Sequence, residues 1–453
     1  MLLGATMSTV PAHAQVSTDV IITAEALRDR AMAGSGAFSI VESLTTEVGA
    51  RMSGSPADAR AVSWAKAKFT ALGYDRVYTE PVVHQVWRRD HETAQIVLPY
   101  PHQITITALG GSVGTGAQPL SAEVVRFASI AELKGAPPAS LKGKIAFISA
   151  RMERQLDGGG YAPVVAGRTD GASIAAEKGA VALLVRSLGT DNNRLPHTGS
   201  VIYATGRRIP AAAVSAPDAN LLDTMLGNSQ HVDVKLDIAT STATHYSSEN
   251  VIGEITGRDL KEDVILIGAH LDSWDLGTGA VDDGAGVALT MAAGKMIQDL
   301  PVHPRRTVRV VLFANEELGY DGARVYADKD ASTIEHHKIA AESDWGTGRA
   351  YMFRSAALNP ALASAIGKVL APIGITTERI QGTPGPDLGA LAKKGVPWVQ
   401  FAQDATTMFD YHHSANDTLD KIDAAALDQN AAAYAVFAYM SAEMSGDVAK
   451  KSK

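Results

Sequence analysis

An alternation of apolar strand segments with helical segments, which begins after Asn250, constrains the fold of this chain more than any other feature. Val264–Ile267 is an unbroken apolar run, as expected of a strand that is buried on both faces. The pattern then predicts a helix over Gly284–Ile297 and another strand over Thr307–Phe313. Such alternation predicts an α/β fold with a mixed central sheet and helices on both faces. In sheets of this kind, ligands bind at the carboxyl ends of the strands.

The stretch between residues 120 and 240 has a different pattern. Short apolar segments such as Ile145–Ile148 and Val181–Val185 are separated by glycine and proline turns, and one helix is predicted over Gly171–Lys178. The pattern predicts an inserted, mostly β domain over residues 120–240. Residues 15–119 and 241–453 then form the first and second segments of the main domain.

The N-terminus predicts export. Met1–Val10 is mildly apolar, and residues 12–14 (Ala-His-Ala) form a small-x-small pattern. Residues 1–14 are therefore interpreted as the remnant of a signal peptide cleaved after residue 14, and the protein as periplasmic or secreted. The alternative is an unstructured N-terminus, because the positively charged start of a signal peptide is missing. Polar residues interrupt the Ala-rich run 424–440, which predicts a C-terminal helix packed on the core and no membrane span.

The composition narrows the chemistry. The 453 residues include no cysteine, so disulfides, thiolate metal sites and cysteine nucleophiles are excluded. Any metal must be held by His, Asp and Glu. The formal net charge is -8, which predicts that nucleic acid is not a partner.

Acidic and imidazole side chains cluster where the predicted strands end. They form five groups: His270 with Asp272, Asp282-Asp283, Glu316-Glu317, Glu342-Ser343-Asp344, and Tyr411-His412-His413 with Asp417. Adjacent carboxylates at a strand end repel each other and lose hydration unless a cation compensates. Each group alone is ordinary, since most such pairs lie on solvated surfaces or in loops. Together they predict zinc bound by imidazoles and carboxylates, as two ions about 3.5–4 Å apart that share one carboxylate.

The order of these groups resembles the co-catalytic zinc aminopeptidase and glutamate carboxypeptidase family, especially its glutamate carboxypeptidase branch. Gly49–Ser55 is similar to the N-terminal signature of that family, and residues 120–240 are similar to its inserted protease-associated domain. The resemblance covers nearly the whole chain after the leader. It implies the zinc exopeptidase fold, two Zn²⁺ ions per chain, small peptide substrates and a homodimer. The activity implied is that of an aminopeptidase, carboxypeptidase or dipeptidase.

The resemblance also implies a role for each site residue. His270 and Asp344 are expected to bind one zinc, Glu317 and His413 the other, and Asp282 both. Glu316 is expected to be the general base, and Asp272 and Asp417 to orient His270 and His413 respectively.

Two assignments stay open. Some members of the family place a tyrosine immediately before the last histidine ligand, where it stabilises the oxyanion. In this chain His412 occupies that position and Tyr411 precedes it, so either side chain could donate to the oxyanion. Asp387 either lines the substrate pocket or caps the helix that follows. The inserted domain is expected to shape the cleft without supplying a zinc ligand, so zinc binding should survive its deletion.

Three rival interpretations carry less weight. Gly110–Gly114 matches the G-x-S-x-G motif of serine hydrolases, but residues 115–119 are poor helix formers and that motif requires a helix. A non-catalytic receptor or scaffold would be expected to lack zinc ligands, and a one-zinc cyclase on the same fold would not need the ligands for a second ion. All five proposed ligands and the proposed base are present.

Overall fold

The computed structural model describes residues 16–204, 206–329 and 331–449. The predicted leader, residues 1–14, lies outside them. The α-helices are α1 Thr18–Met32, α2 Ala37–Glu47, α3 Pro56–Ala71, α4 Ile130–Gly135, α5 Ala162–Thr169, α6 Gly171–Glu177, α7 Ala216–Gly227, α8 Ala285–Gln298, α9 Glu316–Gly319, α10 Asp321–Ala327, α11 Ala331–Glu335, α12 Pro360–Leu370, α13 Leu388–Lys393 and α14 Ala424–Glu443. The strands are β1 Arg76–Leu98, β2 His102–Ile104, β3 Ile106–Ala108, β4 Leu120–Phe127, β5 Ile145–Ile148, β6 Ala182–Arg186, β7 Ala211–Val214, β8 Asp233–Ile255, β9 Leu260–His270, β10 Arg306–Phe313, β11 His337–Glu342, β12 Ala350–Arg354, β13 Thr376–Glu378 and β14 Gln400–Gln403.

A large mixed sheet, in the order β11-β9-β10-β8-β4-β5-β6-β7-β3, organises the molecule. Strands β10 and β11 run parallel to β9, whereas β8 is antiparallel to β10. In the parallel part, Phe313 pairs with His270 and Glu342 pairs with Gly268. Three consecutive strands therefore end at one edge of the sheet, and the residues that follow them meet there. The predicted mixed α/β fold is confirmed.

The predicted central strand is buried on both faces, and its side chains alternate between two hydrophobic cores. Ile265 and Ile267 pack into the core that contains α8 and α14. Val264 and Leu266 pack into the core that contains residues of α10 and α13. An alternation of this kind, with apolar partners on each side, explains the unbroken apolar run.

The second of these cores adjoins a buried polar network around His337. The Arg309 guanidinium donates to the Tyr326 hydroxyl at 2.7 Å, and that hydroxyl lies 2.9 Å from His337 Nε2. The Lys329 ammonium lies 3.7 Å from the centre of the Tyr326 ring. Burial, together with the charges of Arg309 and Lys329, lowers the pKa of His337 to about 3. The neutral imidazole is therefore the form that the fold accommodates.

Residues 120–240 contain more helix than the sequence predicted. Strands β4, β5 and β6 run parallel, and α4, α5 and α7 accompany the single predicted helix, α6. The glycine and proline residues were interpreted as turns, but Pro163 and Pro217 lie in the first turns of α5 and α7, where proline is tolerated. Strand β4 also pairs with β8, so one sheet continues through this region. A separate, mostly β domain is thus not confirmed, and its boundaries remain a prediction.

The two long strands β1 and β8 connect the parts of the sheet. They pair antiparallel from Arg76 with Glu254 to Leu98 with Asp233, with register shifts along the way. Strand β1 is continuous over its 23 residues.

No nucleophile elbow forms at Gly110–Gly114, because the chain from there to β4 contains no helix. Helix α14 is almost wholly buried and contacts α1 and α8. Among the described residues, no helix is both long and apolar enough to cross a membrane.

Candidate active site

His270, the last residue of β9, has one ring nitrogen bound by the protein and the other directed at carboxylates. Its Nδ1 lies 3.0 Å from the main-chain oxygen of Asp272, which can only accept, so Nδ1 carries a proton and Nε2 is the nitrogen available to a metal. Nε2 lies 3.0 Å from Asp282 Oδ1 and 3.4 Å from Asp344 Oδ1. These three side chains present their potential ligand atoms to one small volume.

Asp282 belongs to two such groups. Its Oδ2 lies 3.2 Å from His413 Nε2 and 3.7 Å from His412 Nε2, and these three residues form the second group. The loop that carries it is an irregular turn that follows the left-handed Gly279, and the Asp282–Asp283 peptide bond is cis. The structure therefore places the Asp282 carboxylate between both groups.

Glu316 and Glu317 both face the cleft because the regular strand β10 has already ended, at Phe313. Asn315 adopts a left-handed conformation with φ 56°, after which Glu316 begins the short helix α9. Glu317 Oε2 lies 3.1 Å from His413 Nε2, and its other oxygen is buried without a hydrogen-bond partner. This change of backbone direction is what allows two adjacent side chains to point into one site, which a regular strand does not permit.

Asp272 supports the glutamate pair more directly than it supports His270. Its carboxylate accepts hydrogen bonds from the main-chain N–H of Glu316 at 3.0 Å and of Glu317 at 3.4 Å. The same carboxylate is 3.8 Å from His270 Nδ1, beyond hydrogen-bonding distance. Only the main chain of Asp272 binds the imidazole.

Asp417 likewise binds a neighbouring loop and not a histidine. Its carboxylate accepts from the main-chain N–H of Val281 at 2.6 Å and of Asp282 at 3.2 Å. The ring of His413 has a different partner, since its Nδ1 lies 3.3 Å from the main-chain oxygen of Thr198. Asp417 therefore positions the carboxylate that is shared between the two groups.

The two candidates for the oxyanion donor lie in different surroundings. His412 lines the cleft and stacks on His413 with ring centroids 3.6 Å apart, and its buried Nδ1 has no hydrogen-bond partner within the residues that the structure describes. The Tyr411 ring packs against the main core, and the Lys421 ammonium lies 5.6 Å from its centre.

Asp387 is completely buried next to the site. Neither of its carboxylate oxygens has a hydrogen-bond partner among the described residues, and its side chain does not cap α13. Its main-chain N–H donates to the Glu342 carboxylate at 3.1 Å. Asp387 is also not among the residues that line the cleft. The structure thus supports neither of the two roles considered for it.

The site carries a large excess of buried carboxylate. Burial raises the pKa of Glu316 well above its ordinary value, and the neighbouring carboxylates of Asp344, Glu317 and Asp387 raise it further. Burial opposes the charge of His270, but Asp282 and Asp344 outweigh it and raise the pKa of His270. Unpaired carboxylates in this density need cations, and the imidazole and carboxylate donors suit zinc. The unpartnered oxygen of Glu317 is a further ligand atom for such an ion.

Arg51 is a structural residue of the site to which the sequence assigned no role. Its guanidinium is wholly buried and donates to the main-chain oxygens of Leu271, Thr278 and Gly279 at 2.5, 2.9 and 2.9 Å. It thereby ties the end of β9 to the loop that carries Asp282. Its place within the Gly49–Ser55 signature was the signal that could have identified it.

The site opens into a cleft of about 340 Å³. The inserted region contributes Tyr161 and Arg168, which no local sequence signal connects with the site. The other lining residues include Asp282, Glu316, Glu317, Tyr320, Asp344, Trp345, Thr383, Met408, Phe409, His412 and His413.

Comparison with known proteins agrees with this geometry. Residues 250–438 match the model of peptidase family M28. Carboxypeptidase Q of Homo sapiens is 33% identical over 404 residues, covering 88% of this chain and 84% of that protein. The chain belongs to peptidase family M28. As a member of this family it is a metallo-exopeptidase, which confirms the resemblance and the enzyme class predicted from the motifs.

Solved structures extend the likeness to the whole fold. The M28 peptidase precursor of Shewanella amazonensis SB2B is 47% identical, with a TM-score of 0.94 over 96% of this chain and 99% of that chain. The zinc aminopeptidase of Bacillus subtilis is 20% identical, with a TM-score of 0.64 over 88% of this chain and 93% of that chain. The second likeness concerns the fold alone.

Proposed function

We propose that the protein is a zinc-dependent exopeptidase that binds two Zn²⁺ ions and hydrolyses dipeptides or short peptides. The observation that carries this proposal is the Asp282 carboxylate, whose two oxygens face the His270 group and the His413 group respectively. His270 and Asp344 are the proposed ligands of one ion, and Glu317 and His413 those of the other, with Asp282 common to both.

When bound, two zinc ions would lower the pKa of a shared water and polarise the scissile carbonyl. Glu316 is the proposed general base, which accepts the proton of that water and later transfers it to the leaving amine. Asp272 keeps the Glu316 main chain in place through a 3.0 Å hydrogen bond. His412 is the proposed oxyanion donor, because it lines the cleft while the Tyr411 ring packs against the core.

The shape and charge of the cleft support a short substrate with a free carboxyl terminus. A volume of about 340 Å³ is at the small end for ligand pockets, and Tyr161, Trp345 and Phe409 give it aromatic walls. If two zinc ions offset the four carboxylates that face the cleft, the charge of Arg168 remains. Arg168 is buried, and its guanidinium has only long contacts, 3.4 Å to the Thr198 carbonyl and 3.5 Å to His413 Nδ1. Its Nε has no hydrogen-bond partner among the described residues, and it forms no ion pair with any of them. A carboxylate is the natural partner of such a guanidinium.

Metal analysis tests the two-zinc proposal. Purified protein should contain about two zinc ions per chain, and chelation should abolish activity. Asp282→Asn should weaken the binding of both ions, whereas the exposed control Asp420→Asn should weaken neither. Full activity with a single ion per chain would contradict the proposal and favour the one-zinc alternative. Full metal content with no peptidase activity on any short peptide would favour a receptor or scaffold.

A panel of unblocked, N-acetylated and C-amidated dipeptides tests which terminus is recognised. Amidation should raise KM for the wild type by about 10-fold or more, and Arg168→Met should remove this discrimination while Arg168→Lys keeps part of it. Equal cleavage of free and amidated dipeptides by the wild type, with loss on acetylation, would assign recognition to the amino terminus.

Export and dimerisation also remain proposals. Export predicts a mature N-terminus at or near residue 15 in protein from the native cell, which mass spectrometry would measure. Dimerisation predicts twice the mass of one chain in light scattering at micromolar concentration.

A further inference from the structure

The segment that carries His412 and His413 forms turn hydrogen bonds of its own, such as those from His412 N–H to the Met408 carbonyl at 2.9 Å and from Ser414 N–H to the Tyr411 carbonyl at 3.1 Å, but these do not use the carbonyls of His412 and His413. It lies between two short 3-10 helices, Met408–Asp410 and Leu419–Lys421, and belongs to no strand. His413 itself has a φ of 59°, in the left-handed region that non-glycine residues rarely adopt. A histidine ligand on such a segment needs support from elsewhere to keep its imidazole in one orientation.

That support comes from two consecutive residues of the inserted region. His197 Nδ1 lies 2.6 Å from the main-chain oxygen of His412. The main-chain N–H of Thr198 donates to the main-chain oxygen of His413 at 2.8 Å. In return, the Thr198 carbonyl lies 3.3 Å from His413 Nδ1. A carbonyl can only accept, so this contact favours a proton on Nδ1, which leaves Nε2 to bind a metal. The Arg168 guanidinium, which can only donate, lies farther from the same nitrogen, at 3.5 Å.

His197 is itself fixed on its remaining sides. Its Nε2 lies 3.0 Å from Asp191 Oδ1, and its main-chain N–H donates to Ser187 Oγ at 2.9 Å. Ser187 follows directly on β6 and pairs through its main chain with the end of β7. The His197 ring is 1% exposed, and a Cβ built on Gly189 would lie 2.5 Å from its Nε2. On the Gly189 side the ring therefore has no room for an added methyl group.

A second set of contacts binds the preceding turn. Thr190 donates from its main chain to the Phe409 carbonyl at 3.0 Å and from its hydroxyl to Asp410 Oδ1 at 2.7 Å. The Arg154 guanidinium binds the same Asp410 carboxylate at 2.6 Å. The inserted region thus contacts residues 409–413 at several successive points.

We infer that the segment Ser187–Thr198 is a clamp that positions His413 for metal binding, with His197 as its central positioning residue. The inference rests on the proposed two-zinc function. It replaces the expectation that zinc binding survives deletion of the inserted region, because the ligand His413 depends on contacts from that region even though the region supplies no ligand.

The test measures the affinity of each zinc ion by competition with a chromophoric chelator in the full-length protein. His197→Leu should lower the affinity for the ion held by Glu317 and His413 by about 10–100-fold, the loss typical of removing a partner that orients a histidine ligand. The other ion should change by less than about 3-fold. His197→Asn, whose amide can donate to the His412 carbonyl from nearly the position of Nδ1, should restore most of the affinity. In the cobalt-substituted protein, the visible spectrum of the second ion should change in His197→Leu and recover in His197→Asn.

Two further variants keep the test decisive if His197→Leu folds poorly. Gly189→Ala leaves the chemistry of His197 intact, but the added Cβ displaces the His197 ring. This variant should therefore also have a lower affinity for the second ion. His337→Gln alters a buried histidine outside the site and should leave both affinities unchanged. Unchanged affinity for both ions in His197→Leu and Gly189→Ala would overturn the inference, and so would an equal loss at both sites. A wild-type protein that binds only one ion would instead refute the proposed function.

Discussion

Glu316 and Glu317 have the same side chain and adjacent positions, yet their conservative variants should fail in different ways. Glu316→Gln keeps the size and polarity of the side chain but cannot accept a proton. The main chain of both residues is held by Asp272 at 3.0 and 3.4 Å, independently of either side chain, so the local fold should survive. Loss of a general base should lower kcat by roughly 10²–10⁴-fold, equivalent to about 3–5 kcal/mol in the activation barrier.

Glu317→Gln should instead lose metal. Its carboxylate lies 3.1 Å from His413 Nε2, and its buried second oxygen has no hydrogen-bond partner in the described part of the chain, so a bound cation would compensate its charge. A neutral amide should lower the affinity for the second ion by at least about 10–100-fold, because the loss of even a residue that only orients a ligand lowers metal affinity by that factor. Excess zinc should restore part of the activity of Glu317→Gln and none of that of Glu316→Gln.

The assay compares zinc content after gel filtration with kcat at a saturating dipeptide concentration, with and without added zinc. Glu335→Gln, the same change at an exposed position, is the matched control. A metal-deficient Glu316→Gln would require the two roles to be exchanged. Wild-type kcat in Glu316→Gln would refute the hydrolytic mechanism.

Three other variants test the supporting residues. Asp272→Asn should lower kcat by about 10–100-fold while zinc at His270 is retained, because the imidazole is held by the main chain of residue 272; measured zinc loss at His270 would contradict this. Arg51→Met should reduce the free energy of unfolding, measured in urea, by about 3–5 kcal/mol, because three main-chain oxygens lose a buried charged donor. A reduction below about 1 kcal/mol would refute the structural role of Arg51. The pKa of His337 is about 3 in the folded protein and about 6.5 in the unfolded chain. The contribution of its neutral imidazole to the free energy of unfolding is therefore complete above pH 6.5 and is lost as the pH falls toward 3. When the free energy of unfolding is measured at several pH values, His337→Gln should therefore lose less of it than the wild type as the pH falls, by up to roughly 5 kcal/mol. Equal losses in the two proteins would contradict the prediction.

The sequence located the site because its ligands follow strands that end in register. His270 and Phe313 pair directly in the sheet, so the residues after them had to meet at one edge. Their hydrogen-bond partners could not be assigned in the same way. Whether the Asp272 carboxylate reaches an imidazole or two main-chain N–H groups depends on a difference between 3.8 and 3.0 Å, which spacing along the chain does not encode.

The contribution of the inserted region was beyond sequence reasoning for a related reason. His197 contacts a carbonyl 215 residues away, and no local pattern marks a residue for such a contact. Helices α5 and α7 of this region were missed because proline at a helix start and proline in a turn look alike without the structure, as Pro163 and Pro217 show.

The pairing of β1 with β8 has a consequence for the order in which the chain folds. The ribbon they form is closed at one end by Leu98 and Asp233, so everything between these residues is one long loop. Closing a loop of that length from a disordered chain is slow, because its entropy must be lost before the ribbon gains any contact. Strand β4 pairs with β8 within the same region, so folding of the intervening residues brings the two ends of the loop together. We therefore expect the hydrogen bonds of β4, β5 and β6 to form before those of the ribbon, and pulsed hydrogen exchange during refolding to record that order.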